Sequence, residues 1–201
     1  MRRRMKRPAR GTRHGFTLIE AMTATTLTAV CGSALMLGAS TALKTTQNCV
    51  DQSIAAGLAQ QLMDEISGKL WCNPGTSSTP TTLGPTGSDA GPTRQNYLNI
   101  ADYNGYSATP PQDMWGVPLG MDNGTGGTRP SPLQINPGFF KNWYQQVTVY
   151  YVSSSNFETA ESAGQTSNYR AVEVRIFVNE PNVGMQQLAL VRRIFSYVSM
   201  P

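Results

Sequence analysis

From Ala21 to Leu43 the chain carries no charged residue over twenty-three consecutive positions, and seven of its sixteen Lys and Arg (Arg2, Arg3, Arg4, Lys6, Arg7, Arg10, Arg13) precede that stretch. A helix needs about 20 such residues to cross the hydrocarbon core of a bilayer, so residues 16–43 are long enough to span one. Thr23, Thr25, Thr26, Thr28 and Thr41 dilute the run, as do Gly32 and Gly38. Threonine hydroxyls bond back to helix carbonyls and small residues admit close neighbours, so this composition suits a span packed against other helices. The cations on one side orient the N-terminus toward the cytoplasm and place the chain beyond Lys44 outside. Charge is scarce elsewhere too, at 14% of the chain against roughly 25% in ordinary domains. Without residues 1–15 the net charge changes from +4 to −3, nine basic against twelve acidic residues. The basic character thus belongs to the N-terminal tail, which speaks against a nucleic-acid-binding body.

The apolar run opens with Gly15-Phe16-Thr17-Leu18-Ile19-Glu20. The residues allow two readings of Glu20. Thr17-x-x-Glu20 fits a helix capping box with a carboxylate at the positive helix end. Alternatively the carboxylate serves a partner, because an ion at the edge of a membrane needs one. A Sec signal peptide also has a charged start, an apolar middle and a small-residue cleavage site, which Cys31–Ala34 or Gly38–Ser40 would supply. Such a signal has no need of Glu20.

The basic leader, Gly15, the Phe16-Thr17-Leu18-Ile19-Glu20 run and the apolar helix together resemble the class III signal of type IV pilins and type II secretion pseudopilins. The resemblance is strong over residues 10–40 and loose beyond them, although 101–106 followed by Pro110-Pro111 is similar to a connecting segment in some minor pilin-like proteins. His14 stands where the family often has Lys or Arg. The resemblance implies cleavage by a membrane prepilin peptidase between Gly15 and Phe16, with methylation of Phe16 as the new N-terminal residue. It also implies that Glu20 neutralises the N-terminal amine of a neighbouring subunit during assembly. The implied partners are the prepilin peptidase, other pilin or pseudopilin subunits, the inner-membrane assembly platform and membrane lipid. The implied location is the bacterial inner membrane, single-pass, with a periplasmic head and a filament after assembly.

Beyond Lys44 no Pro or turn cluster interrupts the helical pattern before Asn73-Pro74-Gly75. Ile54, Ala55, Leu58, Ala59, Leu62, Met63, Ile66 and Leu70 form one apolar face, with Gln52, Ser53, Gln60, Asp64 and Ser67 opposite. One helix over Phe16–Trp71 would be about 84 Å long. The expected organisation is a cleaved leader 1–15, a transmembrane half 16–43, an amphipathic half 44–72 and a head 73–201. Nothing polar converges on the apolar face, so it reads as core packing rather than a cofactor box.

Residues 73–93 are Gly, Pro, Ser and Thr with almost no apolar side chain, and read as a flexible surface loop without core contacts. Residues 94–132 read as irregular, with one or two short strands. Trp143–Ser153, Tyr169–Asn179 and Gln187–Ser199 alternate and are rich in Val, Ile, Tyr and Phe, with Val172, Val174, Ile176 and Val178 on one face. The expected fold is α+β and pilin-like: the amphipathic half of the long helix covers one face of a C-terminal antiparallel sheet of at least three strands.

No enzyme is expected. The single histidine, His14, lies in the leader, so the remaining chain holds no Ser-His-Asp or Cys-His constellation and no imidazole ligand for zinc. Gly124-Thr125-Gly126-Gly127 lacks the Lys-Ser/Thr of a phosphate loop, and no cofactor is implied. Asp102/Asn104 and Asp122/Asn123 read as turn formers, with calcium ligation as the alternative. Cys31 reads as packing. Cys49 and Cys72 read as unpaired within the chain, since unbroken helix would hold them about 35 Å apart. A structural, minor pilin-like subunit is the leading expectation. The alternative is a membrane-anchored or Sec-exported extracytoplasmic binding domain. A DNA-uptake pilin using Arg192-Arg193 is a third reading, against a solvated strand edge for that pair.

Overall fold

The computed structural model describes residue 15 and residues 17–181 and 183–198. One helix, α1 (Leu18–Ser67), is followed by irregular chain with four short 3-10 turns and by four strands: β1 (Ser107–Ala108), β2 (Trp143–Tyr151), β3 (Tyr169–Glu180) and β4 (Gly184–Ser196). The architecture is α+β, with a sheet in the order β1-β2-β3-β4 and every pairing antiparallel. The chain divides into two compact units, residues 1–48 and 49–201.

In the first unit the helix begins at Leu18 and is exposed throughout. It is long and apolar enough to cross a membrane. Its threonine hydroxyls are satisfied within the helix: Thr25 Oγ1 donates to Ala21 O at 3.0 Å, Thr28 Oγ1 to Ala24 O at 2.7 Å and Thr41 Oγ1 to Leu37 O at 2.9 Å. A backbone-bonded threonine presents its methyl outward, so the threonines of the run do not forfeit hydrogen bonds in hydrocarbon.

In the second unit Ala55, Ala59, Leu62, Met63 and Ile66 are buried, at spacings of three and four, against Val147, Val149, Val172, Val174 and Ile176 of the sheet. Ala55 and Ala59 keep that stripe low, and the longer Leu62, Met63 and Ile66 fill the space beyond. Tyr97, Ile100, Tyr103 and Trp143 complete the core. The pairing of β2 with β3 aligns Val147 with Val174 and Val149 with Val172. β3 and β4 form an antiparallel hairpin, with a register shift at Ile176/Phe177.

Two expectations are corrected. The helix ends at Ser67 rather than running to residue 72. Gly68, a weak helix former, bonds back to Asp64 and Glu65, and the Leu70 backbone then pairs with the chain at 98–100, through Leu70 N to Leu98 O at 3.2 Å and Ile100 N to Leu70 O at 2.9 Å. Leu70 is consequently exposed instead of completing the apolar stripe. Segment 73–93 is irregular but does contact the core. Leu83 packs against the core cluster, Asp89 is buried, and Asn73 Nδ2 donates to the Asp89 carboxylate. Its carbonyls serve distant donors: Tyr151 Oη bonds Pro80 O at 2.8 Å, and Trp71 Nε1 bonds Ser78 O at 2.6 Å. These are backbone acceptors, supplied whatever the side chain, so a polar composition does not forbid a packed segment.

Candidate functional site

At the head of α1, Thr17 and Glu20 form a reciprocal cap. Thr17 N donates to Glu20 Oε2 at 2.9 Å, Thr17 Oγ1 donates to the same oxygen at 2.8 Å, and Glu20 N donates to Thr17 Oγ1 at 3.3 Å. This arrangement satisfies otherwise orphaned helix donors and sets a carboxylate at the positive end of the helix. Glu20 is exposed, as is Gly15. A Cβ built on Gly15 would meet no described atom within 4 Å, so no contact among the described residues calls for glycine there. Phe16 lies outside the described residues, and so do the leader cations and His14.

The alternative sites fare differently. Asp102 caps a 3-10 turn, with Oδ2 accepting from Leu98 N at 2.9 Å and Asn99 N at 3.0 Å. Burial raises its pKa, outweighing those bonds, and the neighbouring Asp89 charge adds to the rise. Asn104 Oδ1 accepts from Val149 N at 3.0 Å. Asp122 Oδ1 accepts from Gly120 N at 2.9 Å, and Asn123 Oδ1 holds Thr125 N at 2.9 Å and Gly127 N at 3.0 Å. Among the described residues no cluster of three or more His, Cys, Asp or Glu could hold a metal.

Arg192 and Arg193 lie on the edge strand β4 but are not a free cationic patch. Arg192 Nε lies 3.5 Å from Glu173, its NH1 reaches Glu158 at 3.3 Å, and its NH2 bonds the Phe157 carbonyl. Arg193 NH1 reaches Asp64 at 3.1 Å and Ser67 Oγ at 3.1 Å. Cys31, Cys49 and Cys72 are free thiols. The expected reason fails for Cys72, which lies beyond the end of α1.

Sequence reasoning missed two buried arginines. Arg94, in the segment expected to be irregular, donates to Glu65 through Nε at 3.1 Å and NH2 at 2.9 Å. Tyr103 Oη adds a bond to Glu65 Oε1 at 2.7 Å, and Tyr106 Oη accepts from Arg94 NH1. Burial works to raise the Glu65 pKa, but the Arg94 guanidinium and the Tyr103 hydroxyl hold it below the ordinary carboxylate value. Burial and the Glu65 charge push Tyr103 well above the ordinary phenol value. The second is Arg170, fully buried on β3. Strand alternation held its signal, since the parity that turns Val172, Val174 and Ile176 inward turns Arg170 inward too.

No family model, curated protein or solved structure matches the chain. The long N-terminal apolar helix and the antiparallel sheet packed on its second half are compatible with a pilin-like architecture.

Proposed function

We propose that the chain is a minor pilin-like subunit, a type II secretion pseudopilin or a minor type IV pilin. A prepilin peptidase cuts it after Gly15, and it assembles from the inner membrane into a periplasmic filament. Its role is structural and mechanical. The observation that carries this reading is the head of α1: an exposed glycine that no contact among the described residues requires, followed by a Thr17–Glu20 cap at the start of a membrane-length helix. A glycine that no described contact requires suits a position read by an enzyme. Glu20 Oε2 is held by Thr17, which fixes the carboxylate at the start of the span where a neighbouring N-terminal amine would meet it. The continuous helix through residues 31–40 supports this reading over Sec cleavage in that stretch, because a peptidase needs extended backbone at the bond it cuts. The ion-paired state of Arg192 and Arg193 weighs against the DNA-uptake variant.

The test is assembly. In cells expressing the chain with a prepilin peptidase and assembly platform, surface crosslinking is expected to trap multimers of the wild type. Glu20→Gln is expected to be cleaved normally and to yield few or none. Equal crosslinking of the two would remove the assembly role from Glu20.

A further inference from the structure

Where segment 73–93 crosses the end of β3, it helps to line a half-open cavity of about 150 Å3, far more than the 10–15 Å3 a single water requires. Arg170 lines it and is fully buried. The guanidinium carbon lies 4.1 Å from the Trp71 ring centre and 5.2 Å from that of Tyr151. Its two terminal nitrogens are committed to neutral acceptors, NH1 to Trp71 O at 2.6 Å and NH2 to Ser78 O and Tyr151 Oη at 3.1 Å each. The ion pairs among the described residues do not include Arg170, and its buried Nε has no hydrogen-bond partner. A buried cation that meets only neutral oxygens lacks the counter-charge that ordinarily offsets its desolvation.

From this geometry we propose that the cavity binds a small monocarboxylate, with the anion facing Arg170. A carboxylate would supply the missing charge and accept from the unpartnered Nε–H as a charge-assisted bond. Ser77 and Thr82 line the same space, and their hydroxyls can add donors. Single charge is the selective feature. Asp102 also lines the cavity and Asp89 stands close enough to influence it, so a dianion such as hydrogen phosphate meets repulsion that a monoanion feels half as strongly.

Cys72 lines the cavity, which makes it a local reporter, and the exposed Cys49 is an internal reference. Full-length protein in detergent is treated with N-ethylmaleimide in acetate, chloride or phosphate at constant ionic strength, and modification is quantified peptide by peptide. The expected result is that acetate slows modification of Cys72 several-fold relative to chloride, saturably, while Cys49 reacts at one rate throughout and phosphate protects much less. The acetate-to-chloride ratio at Cys72 is expected to return to one in Arg170→Lys. It should do so as well in Thr82→Trp, an exposed loop position that narrows the cavity while leaving the buried charge in place should Arg170→Lys fail to fold. Equal Cys72 rates in acetate and chloride would overturn the proposal. So would equal protection by phosphate, or protection that survives in Thr82→Trp.

Discussion

Arg94 grips Glu65 in a two-point fork, Nε to Oε1 at 3.1 Å and NH2 to Oε2 at 2.9 Å, joining the last turn of α1 to the chain twenty-nine residues onward. Arg94 is only 3% exposed, and Tyr106, Tyr103 and the Gln112 carbonyl complete the network. Arg94→Ala leaves the half-buried Glu65 without its cation. The expected loss is roughly 3 kcal/mol, the low end for removing one partner of a buried pair. Arg94→Lys should recover only part of it, because an ammonium cannot reproduce the fork. Denaturant unfolding of the two variants measures both.

The same pair sets an acid limb. The folded-state pKa of Glu65 lies below its ordinary value of 4.5, so its ionised form favours the folded chain. That contribution is complete above pH 4.5 and is lost as the pH falls through the folded-state value. Asp102, raised by burial, works in the opposite sense, but it is common to wild type and Glu65→Gln and cancels in their difference. The stability difference between the two proteins is expected to be flat near neutrality and to shrink toward acid. A difference that grows on acidification would contradict the assignment.

Ala55 and Ala59 have no exposed surface and lie where the helix meets the sheet. Ala59→Leu forces extra methylenes into that contact and should cost about 1–3 kcal/mol. Leu62→Ala leaves a void instead and should cost about 2–5 kcal/mol. Ala42→Leu, at an exposed position in the first unit, should leave the unfolding of the head unchanged.

Gly120 combines a φ of +81° with a close neighbour, since a Cβ there would stand 2.4 Å from Ile135 Cδ1. Gly120→Ala is therefore strained in backbone and side chain together, and a loss of about 1–3 kcal/mol is expected. At Gly75, also at positive φ, a Cβ meets nothing within 4 Å, so Gly75→Ala should cost less. Comparing the two midpoints separates crowding from backbone strain.

The sheet was legible because β-branched and aromatic residues alternate at Val172, Val174 and Ile176 in a pattern a helix cannot use. The buried face of α1 was legible for the same reason at a different period. The end of that helix was not: Leu70 continues the apolar spacing, and only the pairing of its backbone with residues 98–100 shows why the helix stops before it. The role of segment 73–93 was hidden more deeply, because Ser78 and Pro80 contribute carbonyls to residues more than seventy positions away. Arg170 could have been noticed, as a charge on an inward-facing parity. At the proposed processing junction the motif Gly15-Phe16-Thr17-Leu18-Ile19-Glu20 is legible in the sequence, and the Thr17–Glu20 cap is the part of it that the structure displays as geometry.

The most direct measurement is the N-terminal residue and intact mass of the chain extracted from membranes that contain a prepilin peptidase, for wild type and Gly15→Ala. Because no neighbour among the described residues crowds Gly15, the substitution is not expected to disturb the fold, and any change reports recognition by the peptidase. The account predicts a wild-type chain that starts at Phe16 with one added methyl group, and a Gly15→Ala chain that keeps its leader. A wild-type chain that retains Met1, or one that begins between residues 34 and 41, would contradict it and favour the membrane-anchored or Sec-exported binding domain.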